Sequence, residues 1–144
     1  MVVRLMEPGD VSGLSQLYTH FWGKGSNAEK MAATFERLST NQNYIFLSAD
    51  FYGQIVGSVM GIVCEDLYGE CKPFLLLENL VVDSRHRRMG IAKRLYAALE
   101  ERAKEKGCEQ IILVTESNRE DALGFYPAVG FHPTANAGFK KKLK

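Results

Sequence analysis

Apolar and polar positions repeat with two different periods along the chain, and they divide it into strands and helices. Residues 2–6 form a short β-like run. Asp10 then precedes apolar residues spaced three or four apart, which predicts an amphipathic helix with Asp10 at its N-cap. A capping-box pattern at Ser26 and Glu29 predicts a second helix that ends near Asn41.

The middle of the chain has the composition of β-strands. Residues 44–50 and 54–64 are rich in β-branched and aromatic side chains and are separated by a turn around Gly53, which predicts an antiparallel hairpin. After a polar connection, residues 73–82 are apolar at nearly every position except Glu78 and Asn79. Such a run predicts a central strand that is buried on both faces.

The remaining pattern predicts a β-α-β unit followed by one more helix. Residues 90–106 have one apolar and one charged face, with Gly107 as the C-cap. Residues 109–115, which contain the apolar run 111–114, predict a buried strand parallel to the preceding one. A last helix is expected at residues 120–129. We therefore expect a single α+β domain over residues 1–144, with helices flanking a mixed sheet.

Composition narrows the function classes. The 144 residues include 18 Lys and Arg against 17 Asp and Glu, a balance that disfavours a general nucleic-acid binder. No apolar stretch approaches the roughly 20 residues of a membrane span, so we expect a cytoplasmic protein without membrane contact. Three cysteines without C-x-x-C spacing predict free thiols and no metal site.

The segment that joins the central strand to the strongest helix carries the most specific chemistry. Residues 85–88 are Arg, His, Arg and Arg, and the small residues Gly90 and Ala92 follow at the start of the helix. Unpaired backbone N–H groups at a helix start bind anions, and small residues allow close approach. Cations at this end oppose the helix dipole, which favours a pyrophosphate cradle over the alternative of a merely solvated basic turn.

The segment at residues 87–92 resembles the R-x-x-G-x-G/A signature of the GNAT family of N-acetyltransferases. Residues 122–131 resemble the later A-x-x-x-Y-x-x-x-G-F segment of the same family. The close match covers about residues 75–133, whereas the first half agrees only in the order of its elements. Ala92 stands where many members have glycine.

The resemblance implies a GNAT-like fold, with a splayed parallel strand pair, that binds acetyl-CoA as acetyl donor. The pantetheine arm would pair with the backbone of Leu80, Val81 and Val82. Asn118 would contact the cofactor, with a helix or turn cap as the alternative. The pyrophosphate would be held by a loop made of Arg87, Arg88, Met89, Gly90, Ile91, Ala92 and Lys93.

Two side chains are candidates for catalysis of direct transfer to an amine in a ternary complex. Glu78 would accept the proton of the amine, because desolvation in an apolar strand should raise its pKa; the alternative is a structural carboxylate. Tyr126 would donate to the departing thiolate, and the alternative is aromatic packing with Phe125 and Phe131. His132 and Cys108 have no partner nearby in sequence, so a covalent acyl-cysteine has no support.

Other functions remain open alternatives. A non-catalytic acyl-CoA-binding or regulatory domain would keep the cradle without turnover. The amine acceptor stays unidentified, because the residues that would select it lie around positions 21–43 and 65–72. Glu65, Asp66 and Glu70 suggest a cationic acceptor, with a solvated acidic loop as the alternative. The sequence also leaves open whether the chain forms a homodimer.

Overall fold

A computed structural model describes all residues, 1–144, and divides the chain into two compact units. The second unit, Leu113–Lys144, contains α4 (Glu120–Ala128). The first unit, Met1–Ile112, contains the other regular elements in the predicted order: β1 (Val2–Leu5), α1 (Val11–Trp22), α2 (Ala28–Ser39), β2 (Tyr44–Phe51), β3 (Gln54–Cys64), β4 (Phe74–Val82), α3 (Ile91–Glu105) and β5 (Ile111–Ile112).

The five strands form one sheet in the order β1-β2-β3-β4-β5. The first three pairs are antiparallel, as hairpins allow, whereas β4 and β5 are parallel and are joined through α3. The predicted α+β class and mixed sheet are therefore confirmed.

Several details differ from the sequence predictions. The buried strand predicted at residues 109–115 is shorter and less buried than expected: β5 has two residues, Ile111 is half-buried and Ile112 is exposed. The second helix is capped by Asn27 rather than Ser26, with the Asn27 side chain accepting from the Lys30 N–H at 3.0 Å. An amide oxygen fits this role as well as a hydroxyl does.

Asp10 stands at the N-cap position of α1, but its side chain bonds elsewhere. The Arg4 guanidinium donates to both of its carboxylate oxygens, at 2.7 and 2.9 Å, and also to Asp50 at 3.1 Å. Burial alone would raise the pKa of Asp10, but the bonds from Arg4 and from the Glu7 N–H lower it overall. This ion pair fixes the start of α1 against β1 and β2.

The two faces of the sheet carry different helices. One face, called here the α1 face, is covered in part by α1 and α2 through a core cluster of Met6, Val11, Leu14, Leu17, Phe35 and Val81. On the opposite face, Gly57 and Gly61 of β3 leave space for α3. A Cβ atom at position 61 would lie only 2.6 Å from Leu99 Cδ1, so glycine allows the close approach of helix and strand.

The chain leaves β4 at a fixed point. The Asp83 N–H donates to Val56 O at 2.8 Å. The Asp83 carboxylate accepts from the backbone and guanidinium of Arg85, at 2.8 to 3.2 Å. These bonds from Arg85 lower the pKa of Asp83 to about 2. Asp83 therefore ties the connection between β4 and α3 to the sheet.

Replacement of Gly61 by alanine should destabilise the fold, because the added methyl group collides with Leu99 and Leu75. Overpacking of this kind costs about 1–3 kcal/mol. Gly124→Ala is the matched control: its position in α4 has no heavy atom within 4 Å, and helix propensity predicts a gain of up to about 1 kcal/mol. Urea unfolding of both variants measures the difference, and equal effects would contradict the close packing of α3.

The Asp83 ion pair predicts a pH-dependent stability. Because its pKa is depressed in the folded state, the carboxylate stabilises the protein above its ordinary pKa of 3.8 and loses this effect as the pH falls towards 2. Asp83→Asn should therefore lower the melting temperature near pH 7 and have little effect near pH 2. Asp66→Asn, in the exposed β3–β4 connection, is the control and should show no comparable pH dependence. A loss in Asp83→Asn that is the same at both pH values would contradict the ion-pair account.

Candidate active site

A β-bulge interrupts β4 at its two polar residues. Met60 lies opposite Glu78 and Ser58 lies opposite Val81, so Asn79 and Leu80 together face the single residue between them on β3. Asn79 has φ of +54°, a left-handed conformation that asparagine tolerates better than most residues. Because of the bulge, Glu78 and Val81 share the α1 face although they are three positions apart.

The Asn79 side chain at the bulge lies near the Tyr18 hydroxyl of α1. Burial raises the pKa of the Tyr18 hydroxyl, and the polar Asn79 side chain offsets part of this effect. The phenol therefore stays protonated at neutral pH. Sequence reasoning missed this pair; the only signal was a polar residue inside an otherwise apolar strand.

The edge of β4 that faces β5 is paired over a short length only. Leu75 and Leu76 lie opposite Ile111 and Ile112, and no further pairs follow along β4. The predicted parallel pair is thus confirmed, over two residues of each strand. Leu80, Val81 and Val82 lie beyond this pairing, at the part of the edge where the sequence predicts contact with a pantetheine arm.

The loop between β4 and α3 presents backbone N–H groups at its end. The first helical bond runs from the Arg94 N–H to Gly90 O at 3.0 Å, so the N–H groups of Ile91, Ala92 and Lys93 have no acceptor within the helix. Gly90 has φ of +72° with open space where a Cβ would lie. An anion can therefore approach these donors closely.

The four basic side chains of this loop do not act as one group. Arg85 is committed to Asp83, and the half-buried His86 ring packs edge-on against Phe51 at a centroid distance of 5.3 Å. His86 Nδ1 lies 3.8 Å from the Asp83 carboxylate. Arg87, Arg88 and Lys93 are exposed, and Arg88 is held at φ of +65°. The structure thus separates Arg85 and His86, which anchor the loop, from the exposed Arg87 and Arg88, to which α3 adds the exposed Lys93.

The two predicted catalytic side chains lie in different units. Glu78 is half-buried on the α1 face, directly opposite Met60. Tyr126 is a half-buried residue of α4, and its ring contacts Phe125 and Phe131 at centroid distances of 5.2 and 5.6 Å. The aromatic packing of Tyr126 is therefore present, and a catalytic role of its hydroxyl stays a prediction.

Other candidate residues have identifiable structural positions. Asn118 is exposed in the turn before α4, and the helix is capped at Arg119, so Asn118 is not the N-cap. The backbone N–H groups of Thr134 and Ala135 donate to His132 Nδ1. Burial raises the pKa of the Cys108 thiol, and nearby Cys64 adds to this effect.

None of the helices is both long and apolar enough to cross a bilayer.

The model for the acetyltransferase (GNAT) family matches residues 11–131. An aminoglycoside N(6')-acetyltransferase type 1 from Serratia marcescens is 29% identical over 128 residues, which cover 88% of each chain.

Solved structures agree in fold. A putative acetyltransferase from Agrobacterium tumefaciens superposes with a TM-score of 0.90 at 22% identity, over 99% of each chain. The aminoglycoside N-acetyltransferase AAC(6')-Iy, in complex with the bisubstrate analogue CoA-S-monomethyl-acetylneamine, superposes with a TM-score of 0.81 at 23% identity, over 98% of this chain and 97% of that one. The chain is thus an N-acetyltransferase that uses acetyl-CoA as its donor, and it belongs to the acetyltransferase (GNAT) family.

Proposed function

We propose that this protein transfers an acetyl group directly from acetyl-CoA to an amine, with both substrates bound at once. The observation that supports this most strongly is the arrangement along β4. Its bulge presents Glu78 on one face, its edge is unpaired by β5 beyond Leu76, and the anion-binding loop follows it directly. One strand thus offers groups for the amine, the thioester arm and the pyrophosphate.

The donor is held mainly through backbone groups in this proposal. The N–H groups at the start of α3 bind the pyrophosphate, and Arg87, Arg88 and Lys93 neutralise its charge. Met89 and Gly90 complete the loop, while Asn118 is the proposed polar contact from the second unit. The pantetheine arm pairs with the β4 backbone at Leu80, Val81 and Val82. A backbone N–H at this edge polarises the thioester carbonyl as an oxyanion donor.

Glu78 is proposed to remove a proton from the amine, directly or through water. An aliphatic amine with a pKa of about 10 is protonated at neutral pH and cannot attack a thioester in that form. A carboxylate on the same strand as the oxyanion donor can accept this proton where the attack occurs. The neutral amine then attacks the thioester carbonyl, and the C–S bond breaks with its electron pair going to the sulfur. As the amide forms, the nitrogen releases its second proton to solvent, which can in turn reprotonate the proton donor of the thiolate.

Tyr126 is proposed to donate its hydroxyl proton, or a hydrogen bond, to the thiolate that leaves. A route through an acyl-cysteine is disfavoured by the chemistry of the candidate nucleophile. Burial and Cys64 raise the pKa of Cys108 and so reduce its reactive thiolate form. Direct transfer therefore needs fewer assumptions than a covalent intermediate.

The overall proposal predicts both turnover and ligand-dependent stability. Acetyl-CoA should release free thiol in the presence of a suitable amine. Coenzyme A should stabilise the fold by about 2.7 kcal/mol at one hundred times its Kd. NAD is the control ligand and should stabilise much less. A clear shift with coenzyme A but no thiol release with any amine would favour the non-catalytic alternative, and equal shifts from both ligands would contradict the cofactor loop.

Tyr126→Phe should retain cofactor binding and lose rate. The ring still packs against Phe125 and Phe131, while the proton donor is gone. General-acid catalysis contributes on the order of 10²- to 10⁴-fold, and because a thiolate leaves readily we expect a loss near the lower end, mainly in kcat. Tyr52→Phe, an exposed tyrosine in the β2–β3 turn, is the matched control. Wild-type kcat in Tyr126→Phe, measured where chemistry limits the rate, would show that the hydroxyl has no catalytic role.

A further inference from the structure

The strand register places Glu78 at the end of a row of apolar side chains on the α1 face. Phe46 lies opposite Met60, and Met60 lies opposite Glu78. The next row on the same face consists of Tyr44, Ile62 and Leu76, again directly opposite one another. We call the five apolar residues beside Glu78 the acceptor shelf: Tyr44, Phe46, Met60, Ile62 and Leu76.

The acceptor shelf is only partly covered. All five of its residues are half-buried, as is Glu78. The adjoining row of Ser48, Ser58 and Val81 is fully buried, and α1 packs over it through the core cluster. Partial exposure of this sheet face therefore begins beside the proposed base, with Phe46 packed on one side against Phe35 of α2 at a centroid distance of 5.5 Å.

Aromatic rings lie both within the acceptor shelf and beside it. Tyr44 and Phe46 are stacked at 6.1 Å within the shelf. Near the end of α1, the rings of Tyr18 and Trp22 lie 5.0 Å apart, and Trp22 is 49% exposed. Tyr18 and Phe46 pack against the same core cluster, and Tyr18 lies near Asn79, the neighbour of Glu78, so these rings belong to the same region. Aromatic faces favour apolar bodies and attract an ammonium group.

Charge on the shelf is limited to one carboxylate. Glu78 is the only carboxylate in the two rows. The acidic residues of the β3–β4 connection, Glu65, Asp66 and Glu70, are exposed beyond the strand ends. A polycationic sugar would need several acceptors for its ammonium and hydroxyl groups, and an apolar surface leaves such groups unpaired at a cost.

We infer that the acceptor is an amine with a single reacting ammonium group attached to an apolar, preferably aromatic, body that lies on the acceptor shelf. This inference rests on the proposed function through the role of Glu78. It gives this chain a different acceptor class from the aminoglycosides that the Serratia marcescens relative is named for. The apolar body binds the shelf, and the nitrogen is then directed to Glu78 at its end.

Thiol release from acetyl-CoA with matched amines tests this acceptor class. We expect 2-phenylethylamine to exceed both methylamine and the aminoglycoside neamine in kcat/KM by about tenfold or more, as apolar burial predicts. A preference for neamine, lowered by joint neutralisation of Glu65, Asp66 and Glu70, would overturn the inference and leave the proposed function intact. No turnover with any amine would overturn both.

Substitutions on the acceptor shelf provide a second test of the inference. Met60→Gln preserves length, and Ile62→Thr keeps the branch at Cβ while losing the terminal methyl group. At least one of the two should fold, as melting curves will show. Each should lower kcat/KM for 2-phenylethylamine about tenfold, mainly through KM, and leave methylamine within about twofold. Val2→Thr, on the edge strand β1, is the control, and Glu78→Gln should slow both amines alike. Unchanged KM for 2-phenylethylamine in folded shelf variants would overturn the inference.

Discussion

The bulge in β4 is the constraint on which the arrangement of this site depends. A regular strand would send Glu78 and Val81 to opposite faces, because side chains alternate. The extra residue at Asn79 brings both to the α1 face, so Val81 joins the core under α1 while Glu78 stays at the open part of the same face. The Asn79 side chain also lies near the Tyr18 hydroxyl of α1. Core packing and the proposed chemistry are thereby placed on one strand.

The position of α3 depends on a second constraint, the absence of side chains at two positions of β3. Gly57 and Gly61 allow Ile91, Leu95 and Leu99 to pack directly on the sheet. The start of α3 is thus set by the core, while Asp83 fixes the connecting loop from the other side. Both ends of the anion-binding loop are therefore anchored by contacts that do not involve the cofactor, and such preorganisation lowers the cost of binding.

Sequence reasoning predicted the element order and the parallel pair because both depend on periodicity, which a single sequence displays. It also located the loop at residues 87–92, because Gly90 and the cluster of basic residues are local signals. It did not predict the bulge, since the alternation of β4 is masked by apolar residues at nearly every position. The short length of β5 was also not predicted. Residues 111–114 have the composition of a strand, but the length of a strand is set by how many of its residues pair with the neighbouring strand, which composition does not specify. The acceptor shelf depends on register between three strands, which no local pattern specifies.

The charge distribution fits a donor site better than a general anion-binding surface. The total charge is close to zero, yet Arg87, Arg88 and Lys93 are exposed at the start of α3, where the helix dipole disfavours cations. Arg88 is also held in a left-handed conformation, which costs a residue with a side chain of the order of 1 kcal/mol or more. Arg85, in contrast, is neutralised by Asp83 and supports the loop. In the proposed donor site, a pyrophosphate bound to the N–H groups of this turn offsets the unfavourable charge.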